Sequence, residues 1–190
     1  KALPGLKELT VKGSTDLSLG EVEHENLEAL TIICGGLPES VIRSVQEAEL
    51  PGLKKLLLYI GVEDYGFDGN ADTIKELLDK ADFPKLTYLG ITDSEIQDEL
   101  TRVVLESKFM GQISTLDLSM GTLTDAGGRM LLDKLPQYPN IKRLELEYHF
   151  MSDDMMQQIQ NLPGIEANVN EQQEADEDGG ELYYYAMLTE

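Results

Sequence analysis

One short phrase of apolar and variable positions recurs along the chain. An apolar residue is followed by two variable residues, a second apolar residue, one variable residue and a third apolar residue. The phrase occurs seven times, and its first positions lie 21, 26, 33, 27, 28 and 24 residues apart. Because its later apolar residues alternate with a variable one, each phrase predicts a short β-strand with one buried face. The phrases begin at Leu6, Leu27, Leu53, Leu86, Ile113, Ile141 and Ile165.

Between most phrases, apolar residues recur at helical spacing instead. Those of 41–45 follow Pro38, and proline suits the first turn of a helix. The segment 96–105 has the same spacing. The segment 14–25 lacks it, which predicts an extended return there. Helix caps are expected from Asn70 or Asp72, from Thr124 or Asp125, and from Ser152 or Asp153.

The phrase resembles the leucine-rich repeat, and the resemblance covers nearly the whole chain. The most informative unit reads LDLSMGTL over 116–123 before a helical stretch, and it is similar to the ribonuclease-inhibitor-like subclass. The resemblance implies an α/β fold: a right-handed β/α solenoid, or horseshoe, with a concave parallel sheet and convex helices. It assigns about seven repeats to residues 1–170. Because Lys1 already stands inside a repeat, we expect the array to be truncated at its N-terminus.

Residues 171–190 differ in composition from the rest. The acidic, low-complexity stretch 171–181 predicts a disordered linker. The tyrosine-rich segment 182–188 is expected to turn back at Gly179-Gly180 and cap the repeat array, and the alternative is a mobile peptide motif for another protein. An acidic stretch before a tyrosine-rich terminus is similar to an uncharacterised family of bacterial cytoplasmic leucine-rich-repeat proteins. That resemblance implies no catalytic residue and no known ligand.

The charge balance restricts the partners that we expect. The chain carries 36 Asp and Glu against 15 Lys and Arg, a net charge of −21. Nucleic acid needs clusters of Lys and Arg, so we expect no nucleic-acid partner. Residues 171–190 hold seven acids and no base, and subtracting them from the total leaves −14. This excess is either solubilising or an attraction for a basic protein partner.

Hydropathy and cysteine content bear on the location of the protein. No stretch approaches the ~20 apolar residues of a membrane span, so we expect no membrane partner. Cys34 is the single cysteine, which leaves no internal disulfide and favours a cytoplasmic location.

No motif in the chain predicts catalysis or a cofactor. The segment 68–79 faintly resembles a calcium-binding loop, but Thr73 replaces the glycine that its sharp turn requires. His24 and His149 have no partners at ligand spacing, so no zinc site is predicted. Nucleophile elbows and phosphate-binding glycine loops are also missing. We therefore expect no enzyme, no metal and no cofactor, and we interpret Cys34 as an inert free thiol.

The variable positions of the phrase are expected to form a binding surface. In the fold that the resemblance implies, they project from the concave sheet. An apolar and aromatic patch spans the second to fourth units, and an acidic strip interrupted by one arginine spans the fourth to sixth. Exposed aromatics beside charges are typical of protein-binding surfaces. The predicted partner-binding residues are Ile33, Leu57, Tyr59, Ile60, Tyr88, Asp93, Asp117, Arg143, Glu145 and Glu147.

These observations predict a non-enzymatic scaffold that binds a protein partner through the concave face. Two other readings of the patch remain open, namely cover by the protein's own segments and simple tolerance of exposed apolar groups. A competing functional hypothesis makes the chain a regulatory or targeting module of a larger protein, whose activity lies in a missing N-terminal region. The sequence leaves the oligomeric state open.

Overall fold

A computed structural model describes residues 3–13 and 17–187. Seven strands form one parallel sheet, and their order across the sheet is their order along the chain. Each strand begins within the apolar phrase that predicted it, so the period-2 pattern located all seven. The strands are β1 (Glu8–Lys12), β2 (Ala29–Ile33), β3 (Lys55–Gly61), β4 (Tyr88–Ser94), β5 (Thr115–Asp117), β6 (Arg143–Glu145) and β7 (Glu166–Asn168).

Five α-helices follow the strands within the described residues. Three of their caps confirm the sequence predictions: Asn70 forms a capping box with Thr73, Thr124 accepts from the N–H of Ala126, and Ser152 accepts from that of Met155. Residues 17–25 of the predicted extended return contain no helix, and residues 14–16 of that return lie outside the described residues. The helices are α1 (Glu39–Gln46), α2 (Ala71–Lys80), α3 (Gln97–Leu105), α4 (Asp125–Lys134) and α5 (Asp153–Gln160).

The predicted leucine-rich-repeat solenoid, a horseshoe with a concave sheet and convex helices, is wrong. The described residues form an open parallel sheet whose strands alternate with a few helices, which is a Rossmann-like layout. The physical reason lies in the connections. One holds no helix in its described part, others add short 3-10 turns at 63–65, 108–111 and 135–137, and the phrases are unevenly spaced. The phrase therefore predicted strands correctly but did not define equivalent stacked units.

The sheet has one face covered by helices and one face without them. Right-handed crossovers between sequential parallel neighbours place every helix on the same side. Each helix contacts the next along this side. We call the opposite side the helix-free face; it carries the alternate residues of each strand, beginning with Glu8, Ala29, Lys55, Tyr88, Thr115, Arg143 and Glu166.

The core lies between the sheet and the helices. One ladder of leucines crosses five strands in register, and each of them is at most 1% exposed. This confirms the prediction that each phrase forms a strand with one buried face. The ladder consists of Leu30, Leu56, Leu89, Leu116 and Leu144.

The C-terminal segment folds back, but the acidic linker is not disordered as predicted. It forms strand β8 (Asp176–Asp178), which pairs antiparallel with β9 (Glu181–Tyr183). Gly179 and Gly180 make the two-residue turn, with φ of 63° and 89°. Glycine suits this turn because both residues adopt the left-handed conformation. Leu188, which belongs to the predicted tyrosine-rich segment, lies outside the described residues.

Candidate partner-binding face

Side chains of the helix-free face stand in rows because the strands pair in register. One row runs from Leu57 through Gly90 and Asp117 to Glu145. Leu57 is 8% exposed although no helix covers it. The absence of a side chain at Gly90 explains this burial, since a Cβ there would lie 2.4 Å from Leu57 Cδ1. Leu57 thus occupies the space that a side chain at position 90 would need, and little of it remains exposed.

Tyr88 and Asp117 form the centre of this face. The Tyr88 hydroxyl donates a hydrogen bond to Asp117 Oδ2. Asp117 Oδ1 accepts from the backbone N–H of Ser119 at 3.1 Å and from its hydroxyl at 2.6 Å. Three donors therefore fix the carboxylate, which is 6% exposed. Burial and the negative charge of Asp117 raise the pKa of Tyr88 far above its usual value, so the phenol stays protonated and remains a donor.

The ring of Tyr88 already binds a cation from the same chain. Lys55, its neighbour across the strand pair, places Nζ 4.4 Å from the ring centroid. An ammonium over a tyrosine ring is attracted to the negative face of the π-system. The carboxylate held at the ring hydroxyl strengthens this environment for positive charge. Sequence reasoning missed Lys55, although it and Tyr88 hold the same place in neighbouring phrases.

Tyr59 lies beside this centre and is half-buried. Burial raises the pKa of Tyr59, and the charges of Asp117 and Asp93 raise it further. Asp93 also raises the pKa of Tyr148, behind the effect of burial. The charge of Asp93 thus acts on both Tyr59 and Tyr148, and the charge of Asp117 acts on both Tyr59 and Tyr88.

The acidic strip occupies the side of the face toward β7. Glu145 is half-buried and accepts from Asn168 Nδ2 at 3.0 Å, whereas Glu147 is exposed. Arg143 lies 3.1 Å from the carboxylate of Glu166 and 3.9 Å from that of Glu145. The positive charge of Arg143 is therefore offset by two carboxylates, and the acidic strip keeps a net negative charge.

The structure brings eight of the ten predicted residues to this face and places two elsewhere. Ile60 is fully buried because it continues the inward alternation of β3, so it is excluded from the surface. Asp93 is also fully buried, at a left-handed residue with φ of 57°. Ile33 and Tyr59 are half-buried and available to a partner. The remaining residues on the face are Leu57, Tyr88, Asp117, Arg143, Glu145 and Glu147.

Left-handed turns end the alternation where β4, β5 and β6 leave the sheet. Asp93, Met120 and Tyr148 have φ of 57°, 67° and 62°, a conformation that costs a non-glycine residue about 1–3 kcal/mol. Their backbone N–H groups donate to carbonyls of the neighbouring strand connection, at 2.9, 2.8 and 3.0 Å. The accepting residues are Ser119, Glu147 and Asn170 respectively. These hydrogen bonds offset the cost, and the turns prolong the strand pairing beyond the regular sheet.

The C-terminal segment covers two of these turns. The Tyr184 ring packs edge-on against Phe150 at 5.1 Å between centroids. The Tyr148 hydroxyl donates to the carbonyl of Tyr185 at 3.1 Å, and the N–H of Met187 donates to the carbonyl of Met120 at 2.8 Å. The segment thus packs at the carboxyl ends of β5 and β6.

The described residues contain no cluster of three or more histidine, cysteine or acidic side chains arranged to hold a metal ion. Across 3–13 and 17–187, none of the helices has the length and apolar character needed to cross a membrane. Cys34 is buried, and its thiol donates to the carbonyl of Gly36 at 3.2 Å.

The fold defines an α/β protein with an open parallel sheet. The chain is similar to a Bacteroides fragilis protein whose crystal structure was determined by the Northeast Structural Genomics Consortium, with a TM-score of 0.87 and 39% identity. The match covers 97% of this chain and 51% of that protein, so this chain spans about half of its length. No protein-family model and no curated protein matches the chain.

Proposed function

We propose that the chain is a non-enzymatic protein-interaction module that binds a basic segment of a protein partner on its helix-free face. The observation that carries the proposal is the Lys55 ammonium lying over Tyr88, whose hydroxyl is bonded to Asp117. The contact shows the geometry in which a cation from a partner would bind a tyrosine ring of this face. A lysine or arginine from the partner would bind the ring of Tyr59 in the same manner.

The rest of the face supports a partner of this chemistry. The half-buried Tyr59 and Tyr88 supply large rigid contact area at low entropic cost. Glu145 and Glu147 offer negative charge beside them, and the whole chain has a net charge of −21. Such a field accelerates encounter with a positive partner and repels nucleic acid and acidic membrane surfaces. The proposed location is the cytoplasm, where the single thiol remains reduced.

A binding assay with matched variants tests this proposal. The probe is a labelled peptide rich in lysine and arginine, with a second peptide in which these residues are glutamine. Tyr59→Ala and Tyr88→Ala should each weaken binding of the basic peptide at least about tenfold, because aromatic anchors dominate such interfaces. Tyr65→Ala is the control, since Tyr65 is 50% exposed and lies in the 3-10 turn 63–65, outside the strands that form the face.

The charge contribution is tested separately. Glu147→Gln should weaken binding and reduce its dependence on salt, whereas Glu99→Gln on helix α3 should change neither. Melting temperatures of all variants establish that they remain folded. Equal binding of both peptides, or unchanged binding by the two tyrosine variants, would contradict the proposal.

A second candidate function is favoured by the length of the matched Bacteroides fragilis protein, of which this chain covers 51%. In this hypothesis the chain is a regulatory or targeting module of a larger polypeptide, and the activity resides in the remainder. The complete open reading frame distinguishes the two functions. A catalytic domain beside this module would favour the second, and a whole protein without one would favour the scaffold.

A further inference from the structure

The ammonium of Lys55 contacts a ring, whereas that of the preceding residue contacts a carboxylate. Lys54 Nζ lies 2.7 Å from Glu28. In the register of the sheet, Lys55 stands between Ala29 on β2 and Tyr88 on β4. Neither neighbour offers it a carboxylate, although the chain holds 36 acidic residues. The contact with the ring is therefore the one that the position of Lys55 in the sheet provides.

The ring of Tyr88 is the fixed partner in this contact. Its hydroxyl is bonded to Asp117, which also accepts two hydrogen bonds from Ser119. A Cβ at Gly90 would lie 3.3 Å from Tyr88 Cε1, so the ring lies close against the sheet at that glycine. The hydrogen bond to a carboxylate also polarises the phenol, which makes the ring more attractive to a cation. The chain thus holds a site for positive charge in place before a partner binds.

Lys55 is the movable partner. Its ammonium is carried by a flexible chain of four carbon atoms, and the residue is only half-buried. A cation–π contact at a partly exposed site favours the bound arrangement over the free one by only about twofold to fivefold. The ammonium of Lys55 can therefore leave the ring readily, whereas the hydrogen bond to Asp117 keeps the ring of Tyr88 in place.

A second cation cannot take the same place over the ring while Lys55 Nζ lies 4.4 Å from its centroid, because like charges repel at this range. We infer that Lys55 is an internal competitor of the partner: it occupies the ring of Tyr88 in the free chain and is displaced by a lysine or arginine of the bound partner. This inference rests on the proposed function and adds how that site is regulated. Loss of the positive charge at position 55 therefore tightens binding of a basic segment.

Titration of Lys55→Gln with the peptide rich in lysine and arginine tests the competition. The variant should bind this peptide at least about threefold more tightly than the original chain, because the ring no longer holds an internal cation. Lys134→Gln is the matched control, since it makes the same charge change at an exposed residue in the last turn of α4 and should leave the dissociation constant nearly unchanged. In the Tyr88→Ala background, Lys55→Gln should have no larger effect than this control, because the ring is absent. Melting temperatures establish that each variant is folded.

Displacement itself is measured by NMR at the ε protons of Lys55, in the whole chain with isotope-labelled lysine. The ring current of Tyr88 shifts these protons upfield in the free chain, and Tyr88→Ala identifies their signal by removing the shift. Addition of the basic peptide should reduce the shift as the ammonium leaves the ring. The peptide with glutamine in place of lysine and arginine should leave the shift unchanged.

The outcomes distinguish this inference from the proposed function. If the basic peptide binds the original chain and Lys55→Gln equally, or binds without changing the ε-proton shift, the competitor role is overturned and the interaction module stands. An equal gain in Lys134→Gln attributes the effect to overall charge and also overturns the competitor role. If the basic peptide binds neither the original chain nor Lys55→Gln, the proposed function fails and the inference fails with it.

Discussion

Nε2 of His149 lies 3.0 Å from the carbonyl oxygen of Val169, and Nδ1 accepts the N–H of Met151 at 3.1 Å. The buried ring thus joins the turn after β6 to the residue after β7. Burial lowers the pKa of His149, because the charged imidazolium is poorly solvated there. This histidine occupies a place where most phrases have a small residue, and the two hydrogen bonds explain why it is accommodated.

The first prediction concerns pH. The unfolded chain binds a proton on His149 near the ordinary pKa of 6.5, and the folded chain does so only at lower pH. The unfolded state therefore binds more protons as the pH falls below 6.5, so the free energy of unfolding should decrease. Urea unfolding at about pH 7.5 and about pH 5.5 measures this change, which should be smaller in His149→Gln. Equal pH dependence in the two proteins would contradict the assignment.

The second prediction concerns Glu28, whose carboxylate lies 2.8 Å from Lys7 Nζ and 2.7 Å from Lys54 Nζ. Hydrogen bonds to Lys54 and Lys7 lower the pKa of Glu28 to about 2. The stabilisation is present above the ordinary value of 4.5 and is lost as the pH falls toward about 2. Glu28→Gln should reduce the free energy of unfolding near neutral pH and have no effect near pH 2. High salt should shrink the difference, since the group is exposed.

The third prediction concerns the leucine ladder. Leu116→Ala should lower the free energy of unfolding by about 2–5 kcal/mol, because it leaves a cavity between two neighbouring strands. Thr115→Ala on the helix-free face is the control and should cost less than about 1 kcal/mol. A loss below about 0.5 kcal/mol for Leu116→Ala would mean that the ladder is not part of the cooperative core.

The fourth prediction concerns the C-terminal segment. Tyr184→Ala should lower the free energy of unfolding by about 0.5–1.5 kcal/mol beyond its lost area, because it removes the edge-on contact with Phe150. Tyr183→Ala is the matched control, since the Tyr183 hydroxyl bonds to Glu181 within the same hairpin. Truncation after Gly180 should lower the melting temperature as well. Identical melting of all these variants would show that the segment contributes nothing to stability.

The alternation of apolar residues predicted the strands because it is a local property of the chain. It also predicted the ladder, since register follows once each strand has one buried face. The alternation could not predict the layout of the connections between the strands. Those segments differ in length and conformation, and a resemblance among the strand phrases carried no information about them.

Two errors in the predicted site have a common cause. In two strands the prediction assigned one residue too many to the exposed face, namely Ile60 and Asp93. In β3 the regular alternation turns Ile60 inward, and in β4 a left-handed residue interrupts the alternation at Asp93. The hairpin in the acidic segment was missed because composition predicted disorder there. The Gly179-Gly180 pair was the local signal for a tight two-residue turn.

The order of the strands has a consequence for local unfolding of the sheet. Within the described residues, each strand from β2 to β6 is hydrogen-bonded to the strands immediately before and after it along the chain, so a strand far from the centre can fray without disturbing the middle. Pairing is most extensive between β3 and β4, the two seven-residue strands. Amide protons there should therefore exchange most slowly, with protection declining toward β1 and β7.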